Sequence, residues 1–107
     1  MRFCLIVRGP LGVGKTTVSE ALAKLLHARV VSIDQILERH NLEEWEDGYI
    51  SVGSFLRAND FALEEAGPHL RQDIPVIVDG NFYHRAAIDD LLARVHVPHA
   101  VVTLVAS

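Results

Sequence analysis

Cysteine is almost absent from this sequence of 107 residues, since Cys4 is the only one. A single cysteine excludes an intrachain disulfide and any metal site built on a cysteine pair. The apolar run that surrounds it, residues 3–7, is too short to span a bilayer, and no cleavable signal follows it. We therefore expect a cytoplasmic protein that does not bind membranes.

Blocks of basic residues are also missing. The net charge is −4, and the acidic and basic residues are interspersed along the chain. A nucleic-acid backbone is therefore not the expected partner. Half of the residues are apolar, which suffices for a single core, and we expect residues 1–107 to form one domain.

Apolar runs alternate with segments of helical periodicity. The pattern predicts strands at 2–7, 29–33, 75–79 and 99–105, and helices at 16–26, 54–70 and from about 84 onwards. Residues 36–37 indicate a brief helical turn, residues 40–50 an acidic loop, and Gly67-Pro68 a kinked or frayed helix end. Such alternation is typical of an α/β fold with a doubly wound parallel sheet.

A phosphate-loop (Walker A) pattern, Gly9-x-x-x-x-Gly14-Lys15-Thr16, lies between the first strand and the first helix. Glycines allow backbone N–H groups to turn inward around a phosphate, and the helix directs its positive end at the same anion. The residues predicted to bind the nucleotide are Gly9, Leu11, Gly12, Val13, Gly14, Lys15, Thr16 and Thr17. The alternative, a plain glycine turn beside a surface lysine, does not account for the strand before the pattern and the helix after it.

Three of these residues have distinct expected roles. The Lys15 ammonium is expected to contact the β- and γ-phosphate oxygens of ATP and so to take part in catalysis. The Thr16 hydroxyl is a candidate ligand of Mg²⁺, and Thr17 adds an N–H and a hydroxyl near the α-phosphate.

Carboxylates follow the second and third predicted strands, where ligands gather in a doubly wound sheet. Asp79 follows a buried strand and is predicted to hold Mg²⁺ together with Thr16. Asp34 is predicted to accept the proton of an acceptor hydroxyl and to orient it for attack. Each aspartate has an alternative role as the N-cap of the helix that follows it.

The phosphate loop, Asp34 after the second strand and the segment Val76-Ile77-Val78-Asp79-Gly80 together resemble P-loop kinases of small molecules. The resemblance is to the AAA-family ATPase-like kinases related to chloramphenicol phosphotransferase, zeta toxin and shikimate kinase, with adenylate kinase as a more distant member. It implies ATP and Mg²⁺ as cofactors, and a role for Asp34 at the acceptor hydroxyl. It also implies five parallel strands in the order 2-3-1-4-5, with a lid that carries arginines after the fourth strand.

The chain departs from the resemblance in two respects. Adenylate kinases follow the Asp-Gly with Phe-Pro-Arg, whereas this chain has Asn81-Phe82-Tyr83, which favours a hydroxyl acceptor over a nucleoside monophosphate. The sequence also contains no lid and no fifth strand, so we expect the N-terminal part of a longer kinase domain, truncated after the fourth strand. An uncovered fourth strand would favour self-association.

The leading hypothesis is a kinase that transfers the γ-phosphoryl group of Mg·ATP to a hydroxyl of an unidentified small molecule. A nucleoside-monophosphate kinase and a nucleotide-binding or ATPase module without kinase activity are the alternatives. Weaker candidates are Arg57 and Arg85, which could contact an anionic acceptor or the transferring phosphoryl group but could equally be solvated. Trp45 and Tyr49 could line an acceptor pocket or anchor the loop to the core. His84, near a helix start, has no partner in the sequence that suggests a metal site.

Overall fold

Parallel strands and helices alternate along the chain in a computed structural model, which describes residues 2–9 and 14–105. The strands are β1 (Cys4–Arg8), β2 (Arg29–Ser32), β3 (Trp45–Glu46), β4 (Tyr49–Ile50), β5 (Val76–Gly80) and β6 (His99–Thr103). The helices are α1 (Lys15–Leu26), α2 (Ile33–Arg39), α3 (Val52–Arg71) and α4 (Arg85–Arg94).

Four of the strands form one sheet in the order β2-β5-β1-β6, and every pairing in it is parallel. Counted without the short β3 and β4, this is the order 2-3-1-4, which confirms the predicted α/β fold. The register pairs Ser32 with Asp79, and Arg8 with both Gly80 and Thr103. The carboxyl ends of all four strands therefore meet at one edge.

The sheet is covered on both faces, as its apolar strands predict. Val7 and Ile77 pack with Ala28 on the face that α1 covers. Ile6 and Val78 belong to the larger core on the other face, which α2, α3 and α4 complete. Because side chains alternate along β1, Arg8 lies on the same face as Ile6.

The predicted loop at residues 40–50 contains a β-hairpin, so the prediction of a loop was wrong there. Trp45 and Ile50 pair across it, and Asp47 and Gly48 form the turn with φ angles of 50° and 84°. Two positive φ angles are what a type I′ turn needs, and Asp-Gly is a favoured sequence for it. The Asp47-Gly48 pair was therefore a signal for a β-hairpin in the sequence.

Two helices are longer than predicted. The turn at residues 36–37 is part of the seven-residue helix α2, and α3 continues through Gly67-Pro68 as far as Arg71. The expected frayed end at Gly67-Pro68 was wrong. Proline removes the bond to the carbonyl one turn back, which belongs to Glu64. Both Pro68 and Glu64 are exposed, so water can satisfy that carbonyl.

None of the helices within residues 2–9 and 14–105 has the length and apolar character that crossing a membrane requires.

Candidate functional site

The first turn of α1 lines a cavity of about 380 Å³ at the carboxyl edge of the sheet. Gly14 precedes the helix in a left-handed conformation with φ of 82°, which glycine adopts without strain. The first backbone N–H groups of a helix have no partner within it, so α1 offers donors to an anion here. The cavity is lined by Gly14, Lys15, Thr16, Thr17, Ser32, Asp34, Gln35 and Asp79.

The structure thus gathers six of the predicted site residues around one cavity: Gly14, Lys15, Thr16, Thr17, Asp34 and Asp79. Gly9 precedes the loop at the end of β1 and is buried. Leu11, Gly12 and Val13, which were also predicted to bind the nucleotide, lie outside the described residues.

Lys15 is 8% exposed, and its Nζ donates a 2.7 Å hydrogen bond to Oδ1 of Asn81. Asn81 in turn donates from Nδ2 to the Tyr83 hydroxyl at 3.2 Å. The sequence analysis assigned no role to Asn81, which lies 66 residues from Lys15 along the chain. In this arrangement Asn81 holds the ammonium group in place at the cavity.

Asp79 is 5% exposed, is the last residue but one of β5 and lines the cavity. Burial raises the pKa of its carboxyl, while the hydroxyls of Ser19 and Ser32 and the charge of Lys15 act in the opposite direction. The cap of α4 falls at His84, not at Asp79, so the alternative role of Asp79 as an N-cap was wrong.

Ser19 provides a test of whether these residues suit a cation. Its hydroxyl is fully buried and lies beside the Asp79 carboxyl, whose pKa it lowers. The donor set at this point is therefore a buried carboxylate with hydroxyl oxygens around it, the hard ligands that Mg²⁺ selects. Thr16, at the start of α1, adds an exposed hydroxyl to the same cavity. Asp79 and Thr16 therefore fit the predicted metal site.

Asp34 stands in the first turn of α2 and is partly buried. Burial raises the pKa of its carboxyl. The charge of Lys15 and the backbone N–H of Asn81 lower it, and the negative charges of Asp79 and Glu43 raise it further. A raised pKa makes a carboxylate a better proton acceptor near neutral pH.

The N-cap of α2 is Ser32, whose side chain accepts a 3.3 Å hydrogen bond from the backbone N–H of Gln35. The alternative role of Asp34 as the cap was therefore wrong. The carboxylate of Asp34 is not used for capping and faces the cavity.

Two further cavities continue from the first along the same edge. One, of about 220 Å³, shares Asp34 with the first cavity. The other, of about 610 Å³, shares Asn81 and Tyr83 with the second. The three neighbouring cavities, which share these lining residues, together form the trough. Its first cavity is at the start of α1 and its last beside the end of β6.

The hairpin forms one wall of the trough. Trp45 lines the second cavity, and Tyr49 lines the third. The rings of Tyr49 and Tyr83 meet edge to face at 5.2 Å, and Nε2 of His84 lies 2.9 Å from the carbonyl oxygen of Ile50. Trp45 and Tyr49, the two aromatic candidates for an acceptor pocket, thus line the trough, and His84, for which no role was predicted, lines it as well.

The two weaker arginine candidates are not brought there. Arg57 pairs with Glu44 at 3.3 Å, and Arg85 is close to Asp89 at 3.9 Å. Both arginines are exposed, and neither lines any part of the trough. A different arginine, Arg8, lines the third cavity. Arg8 is the last residue of β1, directly before the phosphate loop, and nothing in the local sequence pattern marks it as a site residue.

Comparison of the sequence with known protein families shows the family to which the chain belongs. The profile of the AAA_33 family, described as an AAA domain, matches residues 5–107. The chain belongs to this family. The relatives described next are kinases, so the expected resemblance to P-loop kinases of small molecules is confirmed.

A curated relative, the shikimate kinase of Bacillus cereus (strain AH187), is 31% identical over 72 residues. The match covers 67% of this chain and 40% of the relative.

Two solved structures share the fold. A sugar kinase from Janibacter sp. HTCC2649 superposes with a TM-score of 0.73 at 17% identity, over 97% of this chain and 60% of that one. A gluconokinase from Sinorhizobium meliloti 1021 superposes with a TM-score of 0.63 at 22% identity, over 100% and 61%. The chain therefore spans about three fifths of the length of these kinases.

Proposed function

We propose that this chain is the nucleotide-binding part of a small-molecule kinase that transfers the γ-phosphoryl group of Mg·ATP to a hydroxyl. The observation that carries the proposal is the meeting of Lys15, Thr16, Asp34 and Asp79 around one cavity at the start of α1. Such sites act by positioning the phosphates and by stabilising their charge.

The phosphates would bind against the first turn of α1. Lys15 would leave the Asn81 oxygen, a neutral acceptor, for phosphate oxygens, which are charged. The exchange replaces a hydrogen bond between an ion and a neutral amide by one between opposite charges, and the added Coulomb attraction favours the bound state. Thr16 and Asp79 would hold Mg²⁺, which when bound neutralises part of the phosphate charge.

Asp34 would serve the acceptor. It lies where the first cavity meets the second, between the start of α1 and the wall formed by the hairpin. The acceptor oxygen forms a bond to the γ-phosphorus while the bond from that phosphorus to the β,γ-bridging oxygen breaks and ADP leaves. The hydroxyl proton goes to the Asp34 carboxylate and from there to water.

The test is to incubate the chain with Mg·ATP and a panel of hydroxyl compounds and to follow new phosphate monoesters by mass spectrometry. Shikimate and gluconate belong in the panel because the shikimate kinase and gluconokinase above resemble this chain. We expect transfer to at least one compound. Asp34→Asn should reduce that transfer by about 10²- to 10⁴-fold, the usual contribution of a general base, with Mg·ATP affinity unchanged within a few-fold.

Asp89→Asn is the matched control, since Asp89 is an exposed aspartate on α4 outside the trough. It should leave transfer unchanged. Binding of Mg·ATP without transfer to any acceptor, or with release of inorganic phosphate alone, both in this chain and in a longer chain that carries the lid, would reject the kinase and leave a nucleotide-binding or ATPase module.

A further inference from the structure

The third cavity of the trough contains a cation that the proposed reaction does not use. Arg8 lies partly buried at its wall, and its Nε is shielded from solvent without a hydrogen-bond partner. Within residues 2–9 and 14–105 Arg8 forms no side-chain hydrogen bond or ion pair. A shielded guanidinium nitrogen without an acceptor is costly, because a buried donor left unsatisfied loses its hydration without replacement.

The position of Arg8 is fixed by the sheet. Its backbone pairs with Gly80 on one side and with Thr103 on the other, and its carbonyl accepts a 2.8 Å hydrogen bond from Leu104 N–H. The sheet thus fixes the backbone from which the Arg8 side chain extends to this cavity, and a binding residue on a rigid element is well placed.

The surroundings of Arg8 suit an anion. The described residues that line this cavity include no aspartate or glutamate. Beside Arg8 they include the hydroxyls of Tyr49 and Tyr83 and the imidazole of His84. The next two cavities contain the opposite charge, since Asp34 lines both and Glu43 lines the middle one. The trough is therefore polarised, with carboxylates beside the start of α1 and a guanidinium at the far end.

Resting on the proposed function, we propose that the acceptor carries an anionic group, a carboxylate or a phosphate-type oxyanion, which Arg8 binds while the reacting hydroxyl lies at Asp34. Arg8 shares its cavity with Gly9, the first glycine of the phosphate loop, whereas Lys15 and Thr16 line the cavity at the start of α1. An anion at Arg8 is therefore expected beside the donor phosphates, and the test below occupies the phosphate loop first. The planar guanidinium can bind either kind of anion through two parallel hydrogen bonds.

The test uses the full chain with excess Mg·ADP, which occupies the phosphate loop, and follows the ¹⁵N–¹H signal of Arg8 Nε by NMR. The probes are sodium sulfate and sodium acetate, each titrated against sodium chloride at constant ionic strength. Sulfate represents the tetrahedral oxyanions and acetate the carboxylates. We expect a saturable shift of the Arg8 signal with at least one probe, and the stronger response identifies the class of anion.

Arg8→Gln identifies the signal by its loss. Followed through the backbone amide signals of Gly80 and Thr103, which pair with residue 8, the variant should bind the same probe about tenfold or more weakly. Arg8→Lys retains the charge without the fork and covers the case in which the glutamine variant does not fold. Arg57→Gln is the control, because Arg57 is exposed and already paired with Glu44. A response of Arg8 that is absent, or as weak and linear as that of Arg57, would overturn the proposal. Since this readout needs no phosphoryl transfer, its failure is distinct from a failure of the proposed kinase.

Discussion

Replacement of Lys15 by alanine should weaken binding of Mg·ATP strongly. In the structure its Nζ is bonded to Asn81 at 2.7 Å, and the ammonium lies beside the N-terminus of α1. A hydrogen bond to a charged phosphate is worth about 1.5–3 kcal/mol net. At about 1.4 kcal/mol per factor of ten, the loss in affinity should be about 10- to 150-fold.

The same change has a smaller effect on stability. It leaves the buried Oδ1 of Asn81 without the donor it has now, which costs about 1–3 kcal/mol of unfolding free energy. It also removes a cation that is only 8% exposed, and the relief of its desolvation offsets part of that cost. The fold should therefore persist, and circular dichroism and a thermal melt would verify this before affinity is compared.

Isothermal titration calorimetry with Mg·ATP is the assay, and Lys24→Ala is the matched control. Lys24 is an exposed lysine in the last turn of the same helix. Its removal should leave affinity unchanged. A folded Lys15→Ala chain that binds Mg·ATP as tightly as the Lys24→Ala chain would refute the assignment of the phosphate site.

Three other predictions concern Asp79 and Gly80, at the carboxyl end of β5, and the outermost strand β6. Asp79→Asn should raise the melting temperature of the ligand-free chain at pH 7. Burial raises the pKa of Asp79 above its ordinary 3.8, so the stability of the folded chain falls as pH rises past that value. In calorimetry the same variant should weaken nucleotide binding more with Mg²⁺ than without. Gly80→Ala should cost about 1–3 kcal/mol in denaturant unfolding, because the added Cβ would lie 2.8 Å from Cβ of Ile33. Val101→Lys, on the exposed strand β6, should reduce self-association in sedimentation, whereas Leu25→Lys on α1 should not. Equal losses of nucleotide affinity with and without Mg²⁺ would contradict the prediction for Asp79→Asn. Full stability of Gly80→Ala and unchanged sedimentation of Val101→Lys would contradict the other two.

Local pattern was enough to predict the sheet and the start of the site. Over residues 4–26 an apolar run, a glycine-rich segment and an amphipathic pattern follow one another, and they predict a strand, a phosphate loop and a helix in that order. The apolar run before Asp79 predicts a buried strand in the same way. Their boundaries moved by only one or two residues. The position of Lys15 at the start of α1 follows from the same local pattern.

Contacts between distant parts of the chain were not predictable in this way. The bond from Lys15 to Asn81 depends on how β1 and β5 pair, and the register of that pairing is set by packing across the whole sheet. The cap of α2 was misplaced because Ser32 and Asp34 are both good caps, and the end of β2 decides between them. Arg8 was overlooked because an arginine at the end of an apolar strand has no meaning until the cavity beside it is known.

A crystal structure of the chain with Mg²⁺ and a non-hydrolysable ATP analogue tests the central claim most directly. We expect the triphosphate in the cavity at the start of α1, with Nζ of Lys15 moved from Asn81 to the β- and γ-phosphate oxygens and Asp79 beside the metal. A nucleotide bound elsewhere, with Lys15 still bonded to Asn81, would contradict it.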